Sequence, residues 1–207
     1  MSKKPTSTDE IRRFTDPVPE DDIFNYDRIK DLIGKSSEFH EGHDEVSHSD
    51  IRHWCEVMQD ENPLYTDEEY AKKTKHGGII APPVMAQVWS LDPMKEALER
   101  FVDGNAPFIE DPHNQLFGII DEEGYDGVVA TSQTQEYLKP VRPGDTISCK
   151  ITVGRVSPYD HHTRMGVGRY VDMIYTFINQ HGEEVCVATF RVLKYRPPMD
   201  TRRLYEG

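Results

Sequence analysis

The first half of the chain has the apolar spacing of amphipathic helices. Apolar residues recur every three to four positions in residues 23–35, which predicts a helix that ends at Gly34. A second helix is predicted to begin after Ser47, because Ser47 and Asp50 have the S-x-x-D spacing of a capping box. The apolar residues that follow recur at helical spacing and place one face of this helix in the core: Ile51, Trp54, Cys55 and Met58.

A buried central helix is predicted further along the chain. The capping pattern recurs at Thr66 and predicts a short helix over residues 67–74. Pro83 suits the first turn of another helix, where its missing N–H has no partner to lose. Residues 84–91 are mostly apolar and uncharged, so we expect this helix to be buried nearly all round. Residues 93–102 carry charges and predict a more exposed helical segment.

In the second half of the chain the apolar period changes to two, the period of a half-buried strand. This alternation predicts four strands, at residues 128–138, 146–153, 165–177 and 185–195. Short turns containing Gly144 and Gly182 join consecutive strands, which predicts an antiparallel meander. Helices followed by strands indicate an α+β fold. We therefore expect one antiparallel sheet wrapped around the helix at residues 84–91.

Length and composition predict one folded domain. The chain has 207 residues, with ten Tyr, eight Phe and two Trp to build a core. Residues 1–22 are polar and rich in proline, so we expect a loosely held arm there. The predicted domain covers residues 23–198, which leaves residues 199–207 as a tail.

Charge and cysteine usage exclude several classes of function. The chain has 24 basic and 37 acidic residues, a net charge of −13. Such a surface repels phosphate backbones and anionic lipid, so we expect neither nucleic acid nor a membrane as a partner. The N-terminus lacks the apolar segment of a signal peptide, and three cysteines without a CxxC pair fit a reduced compartment. We therefore predict a cytoplasmic protein.

Candidate metal and cofactor motifs are weak. Nine histidines occur, and His40 and His43 lie close in sequence, but no cysteine or H-E-x-x-H pattern accompanies them. The neighbours His161 and His162 would point to opposite faces of a strand. The glycines do not form a phosphate-binding loop. We predict neither a metal site nor a cofactor.

Four segments together resemble the MaoC-like hydratases and dehydratases. The first runs from Asp60 to Tyr65 and reads D-E-N-P-L-Y, and the second reads G-I-I-A-P-P at residues 78–83. The other two are residues 137–145 and 189–197, which are similar to a strand–turn signature and to the last strand of that family. The resemblance implies a hot dog fold, in which an antiparallel sheet wraps around a long central helix, here with an N-terminal helical extension.

The family hydrates trans-2-enoyl-CoA thioesters, which requires a carboxylate and an imidazole above the alkene. Its active members carry D-x-N-P-x-H and a second motif, A-H-G. This chain retains Asp60 but has Tyr65 in place of the histidine and Pro82 within the second motif. Tyr, with an unperturbed pKa of about 10, is a poor substitute for His. We therefore expect the chain's own site to be inactive, with Asp60 as the one catalytic carboxylate that the motif retains.

The resemblance also implies partners and binding residues. The chain is most similar to the MaoC-like half of two-domain proteins that carry a C-terminal OB-fold and take part in steroid side-chain degradation. Such halves pair with a small catalytic hot dog subunit, as a heterodimer or heterotetramer, and supply the tunnel for a bulky acyl-CoA. The chain ends nine residues after Pro198, so we expect no OB-fold within it. The expected substrate-binding residues are Asn62, Tyr65, Gly78, Ala81, Pro82 and Trp89.

Simpler readings of the same residues remain open. Asp60 is then a solvated residue at the end of a helix, Tyr65 a packed aromatic residue, and Trp89 part of the core. Two other functions also remain open. One is an autonomous homomeric hydratase or dehydratase that uses Asp60. The other is a non-enzymatic acyl-CoA-binding module that docks another enzyme, such as an aldolase, or an OB-fold partner.

Overall fold

The computed structural model describes residues 24–91, 94, 95, 98 and 111–197. The predicted arm at residues 1–22, the tail at 199–207 and nearly all of the predicted segment at 93–102 lie outside these residues. The helices are α1 (His48–Met58), α2 (Pro63–Thr66), α3 (Glu68–Lys72) and α4 (Pro112–Glu122). Three 3₁₀ helices accompany them, at Tyr26–Arg28, Lys30–Leu32 and Pro83–Ser90. We call the last of these the central helix.

Six strands form one antiparallel sheet. They are β1 (His40–Glu45), β2 (Gly127–Tyr137), β3 (Thr146–Val156), β4 (His161–Thr163), β5 (Gly166–Ile178) and β6 (Glu184–Arg196). Their order is β1-β3-β5-β6-β2, and β4 pairs with β5. The four predicted strands are confirmed, but the predicted meander holds only for β3, β5 and β6. Because β2 pairs with β6 at one edge of the sheet, it is not a neighbour of β3, which lies between β1 and β5. The chain therefore crosses the sheet between β2 and β3.

One face of the sheet carries both hydrophobic cores. Cys149, Phe177 and Cys186 are register partners on β3, β5 and β6, and they belong to the first core with the central helix and α1. Val153 and Met173 lie four residues along from this row and belong to the second core, which contains α4. Since side chains four residues apart on a regular strand share a face, the sheet covers both cores with the same side.

The central helix differs from its prediction in type and in burial. It is a 3₁₀ helix, and the N–H of Met85 donates to the carbonyl of Pro82 at 2.9 Å. Met85, Ala86 and Trp89 are buried against the sheet, whereas Val84 is 46% and Val88 is 49% exposed. The prediction of burial nearly all round was wrong because the sheet covers only one side of the helix.

The predicted helix over residues 23–35 is also wrong in form. Two short 3₁₀ turns bury Ile29 and Leu32 in the second core. After them the backbone is extended and pairs with β3, and the N–H of Gly34 donates to the carbonyl of Val153 at 2.8 Å. Hydrogen bonds to a sheet edge therefore replace those of the helix that the local spacing favoured.

The helix predicted after Ser47 is confirmed, and the Ser47 side chain accepts a hydrogen bond from the N–H of Asp50 at 3.1 Å. The short helix predicted at 67–74 is α3, but Asp67 rather than Thr66 caps it, by accepting from the N–H of Tyr70 at 2.9 Å. Four elements had no prediction: α2, α4, β1 and β4. The sequence of β1 is almost entirely polar, so it lacks the alternation that marks a strand.

Candidate functional site

The D-E-N-P-L-Y segment forms the end of the turn after α1 and most of α2. Gln59 caps the C-terminus of α1 with a left-handed φ of 55°, and the N–H of Asp60 donates to the carbonyl of Cys55 at 2.9 Å. The Asp60 carboxylate accepts the N–H of Asn62 at 3.1 Å. The Asn62 side chain in turn accepts the N–H of Leu64 at 3.1 Å and caps α2. The side chains of Asp60 and Asn62 therefore both hold the backbone of their own turn.

Tyr65 lies where the resemblance places a histidine. Its ring is partly buried and packs against the first core. Burial raises the pKa of its hydroxyl, and the negative charge of Asp60 raises it further, while a hydrogen bond with Asn62 opposes the shift. The hydroxyl is therefore protonated at neutral pH, and it is a weaker acid than a free tyrosine. It cannot take a proton from water as a neutral imidazole does.

A surface pocket of about 530 Å³ adjoins this turn. Asp60 lines it together with Cys55 and five polar or charged residues: Arg52, Glu56, Gln59, Glu61 and Thr66. None of these lining residues, all within the described part of the chain, is a histidine. The pocket thus offers a carboxylate without the imidazole that hydration needs beside it.

Residues 76–82 lead into the central helix, and we call them the glycine loop because they contain Gly77 and Gly78. Hydrogen bonds to the turn that precedes β3 hold this loop in place. Gly77 has a φ of +68°, a conformation that glycine adopts without strain. Arg142 donates from Nη2 to the carbonyl of His76 at 2.7 Å, and the N–H of Ala81 donates to the carbonyl of Val141 at 2.8 Å. Arg142 was not among the predicted site residues. Its position within the third family segment was the signal available in the sequence.

The remaining predicted binding residues occupy two places. Gly78 is half-buried, and Ala81 and Pro82 are buried at the start of the central helix. Trp89 lies at the other end of that helix and is 4% exposed. It lines a second pocket of about 510 Å³ with acidic residues that include Asp44 and does not line the pocket of Asp60. The structure therefore does not bring Asp60 and Trp89 together in one pocket.

The cysteines are not candidates for nucleophilic catalysis. All three are buried free thiols. Burial raises the pKa of Cys149 to about 12, and it also raises the pKa values of Cys55 and Cys186. Because the thiolate is the reactive form, these side chains act as core residues. Within the described residues, no group of His, Cys, Asp or Glu could hold a metal ion, and no helix is long and apolar enough to cross a membrane.

Comparisons with known proteins identify a family and relatives to which this chain is similar. A family model described as the FAS1-like dehydratase domain region matches residues 31–188. The "probable enoyl-CoA hydratase alpha subunit" of Thermomonospora curvata is 33% identical over 171 residues, 82% of this chain and 51% of that protein. The "3-oxo-4,17-pregnadiene-20-carboxyl-CoA hydratase alpha subunit" of Mycobacterium tuberculosis is 33% identical over 160 residues, 74% of this chain and 46% of that protein. The chain thus spans about half the length of these curated relatives.

Two solved structures illustrate the likeness in three dimensions. A chain of the ChsH1–ChsH2 complex from Mycobacterium tuberculosis superposes with a TM-score of 0.71 at 28% identity, covering 83% of this chain and 91% of that chain. A MaoC-like dehydratase from Rhodospirillum rubrum superposes with a TM-score of 0.51 at 19% identity, covering 81% and 94%. The second likeness is one of fold alone.

Proposed function

Because the chain belongs to the family of FAS1-like dehydratase domain regions and has the hot dog fold, we propose that it is the non-catalytic subunit of a heteromeric enoyl-CoA hydratase. In this proposal a second hot dog subunit supplies the catalytic Asp and His. The present chain binds part of the acyl group of the substrate.

The observation that carries the proposal is the state of the Asp60–Tyr65 turn. Hydration needs a group that takes a proton from water, and Tyr65 has a raised pKa and keeps its proton at neutral pH. Asp60 accepts the backbone N–H of Asn62, so its carboxylate helps to build the turn. A general acid–base group contributes roughly 10²–10⁴-fold in rate, and this turn lacks one of the two groups that the reaction requires.

Two further observations support a heteromeric assembly. Both curated relatives are named as alpha subunits, and the superposed chain with the higher TM-score comes from the ChsH1–ChsH2 complex. In the described part of the chain, β2 pairs with β6 on one side only, although it is eleven residues long and mostly exposed. A long open edge strand favours association, because a partner covers its free backbone groups.

A bulky acyl-CoA, derived from a steroid side chain, is the substrate that we propose. One relative is named for 3-oxo-4,17-pregnadiene-20-carboxyl-CoA. Purified complex should hydrate this steroid thioester faster than crotonyl-CoA, in kcat/KM. Equal values for both substrates would contradict the steroid assignment.

The assembly is tested by co-expressing the chain with a hot dog protein that a neighbouring gene encodes and that retains D-x-N-P-x-H. We expect the two to co-purify and the pair, but neither protein alone, to hydrate enoyl-CoA. Sustained turnover by this chain alone, abolished by Asp60→Asn, would instead support an autonomous hydratase. Co-purification with an aldolase or an OB-fold protein, without hydratase activity in any combination, would support a docking module.

We expect the motif carboxylates of the two subunits to contribute unequally to the reaction. Asp60→Asn is expected to leave kcat of the co-expressed pair within about twofold, because an amide oxygen still accepts the N–H of Asn62. The equivalent substitution in the partner's motif is the matched control and should lower kcat by roughly 10²–10⁴-fold. A similar large loss from Asp60→Asn would show that this chain carries out the chemistry.

A further inference from the structure

A short basic segment interrupts the acidic character of this chain. Residues 70–79 contain three lysines and no Asp or Glu, although the whole chain has a net charge of −13. Lys72 is neutralised by Glu68 and Glu69, at 3.5 and 3.6 Å. Lys73 and Lys75 are exposed and form no ion pair with any residue that the structure describes. Two positive charges, two positions apart in sequence, therefore face solvent before the glycine loop.

Arg142 brings a third positive charge to the same loop. Its Nη2 donates to the carbonyl of His76 at 2.7 Å, and its Nη1 lies 4.0 Å from where a Cβ on Gly78 would be. Asp145 is the nearby carboxylate, and it is already engaged by the backbone N–H of Arg142 at 2.7 Å and by Gln180 at 3.1 Å. The guanidinium is thus held in place by a neutral carbonyl, a contact that does not compensate its positive charge.

From this arrangement we propose that Lys73, Lys75 and Arg142 bind the phosphate groups at the nucleotide end of an acyl-CoA. The inference rests on the proposed function, since it assumes a CoA thioester as substrate. The nucleotide end of CoA carries several negative charges, and a strongly acidic protein repels such a ligand unless a local positive surface attracts it. The exposed lysines precede Gly77 and Gly78 in the chain, so in this proposal the phosphates lie on the solvent side of the glycine loop.

The test measures the affinity of the full chain for CoA by titration calorimetry at several salt concentrations. The double substitution Lys73→Gln with Lys75→Gln should weaken CoA binding about tenfold at low salt, since each exposed charge contributes modestly. It should also flatten the dependence of affinity on salt, because fewer charges remain to be screened. An acyl-pantetheine, which lacks the nucleotide, should bind the variant and the wild type equally.

The control, which changes the net charge by the same amount, is Lys30→Gln with Lys35→Gln on a different surface, where Lys30 pairs with Asp27 at 3.0 Å and Lys35 is exposed. It should change CoA affinity less than twofold. Equal losses in both variants, equal loss for acyl-pantetheine, or no binding of CoA to the wild-type chain would overturn the inference. Hydratase activity of the co-expressed pair is measured separately. If the co-expressed pair hydrates enoyl-CoA but the Lys73→Gln, Lys75→Gln variant binds CoA as tightly as the wild type, only this inference fails. If the lysine variant loses CoA affinity but the wild-type pair does not hydrate enoyl-CoA, only the proposed hydratase function fails.

Discussion

At the scale of single residues, small side chains matter where two backbones approach each other. Gly42 of β1 lies between the carbonyls of Trp89 and Ile147, and a Cβ added there would come within 2.1 and 2.5 Å of their oxygens. No rotamer change relieves a clash between a Cβ and backbone atoms. Glycine at this position is therefore what allows β1 to cross the end of the central helix.

Gly42→Ala is accordingly expected to lower the free energy of unfolding by about 1–3 kcal/mol, because the backbone must shift to admit the methyl group. Urea denaturation followed by circular dichroism measures this. Gly118→Ala is the matched control, since Gly118 is in α4 with nothing within 4 Å of the added Cβ. That change should stabilise the protein by about 0.5–1 kcal/mol. A stability loss at Gly118 equal to that at Gly42 would contradict the packing argument.

At the scale of elements, α1 shows how a local signal survives folding. Ser47 is its N-cap, and its side chain accepts the N–H of Asp50 at 3.1 Å. The signal was readable because the hydrogen bond joins residues three positions apart. By contrast, β1 and the 3₁₀ turns around Ile29 depend on contacts with β3, more than a hundred residues away, and local spacing could not reveal them.

Ser47→Ala should lower the free energy of unfolding by about 0.5–2 kcal/mol, because the N–H of Asp50 loses its acceptor. Ser47→Asp is the control, since a carboxylate accepts the same hydrogen bond and also suits the positive end of the helix. Thermal melts of both variants check this. If the Asp variant loses as much stability as the Ala variant, the cap is not the source of the effect.

At the scale of the whole molecule, the tyrosines make stability sensitive to alkali. Burial, followed by a hydrogen bond to Asp160, raises the pKa of Tyr125 to about 12, and burial also raises the pKa values of Tyr26, Tyr65 and Tyr175. The folded state therefore holds these protons at a pH where the unfolded chain, with a pKa of about 10, releases them. The contribution of Tyr125 to stability is complete below about pH 10 and is lost as the pH rises towards about 12.

We expect Tyr125→Phe to make the loss of unfolding free energy between about pH 10 and 12 shallower, by up to about 1.4 kcal/mol per pH unit. Urea denaturation at about pH 9, 10, 11 and 12 measures this slope. The control is Tyr70→Phe, which removes a hydroxyl from a ring that is 47% exposed. Equal changes of slope in both variants would show that Tyr125 has no special part in the alkaline transition.

The sequence by itself determined the α+β class, the four long strands, the capped helix α1 and the replacement of histidine by Tyr65. Each depends on residue identity or on spacing within one element, which the chain order preserves. Only the tertiary structure decided that β2 pairs with β6, that the central helix exposes Val84 and Val88, and that Asp60 and Trp89 line different pockets. These features depend on contacts between distant segments, where hydrophobic burial and free backbone groups choose among partners that local patterns leave equivalent.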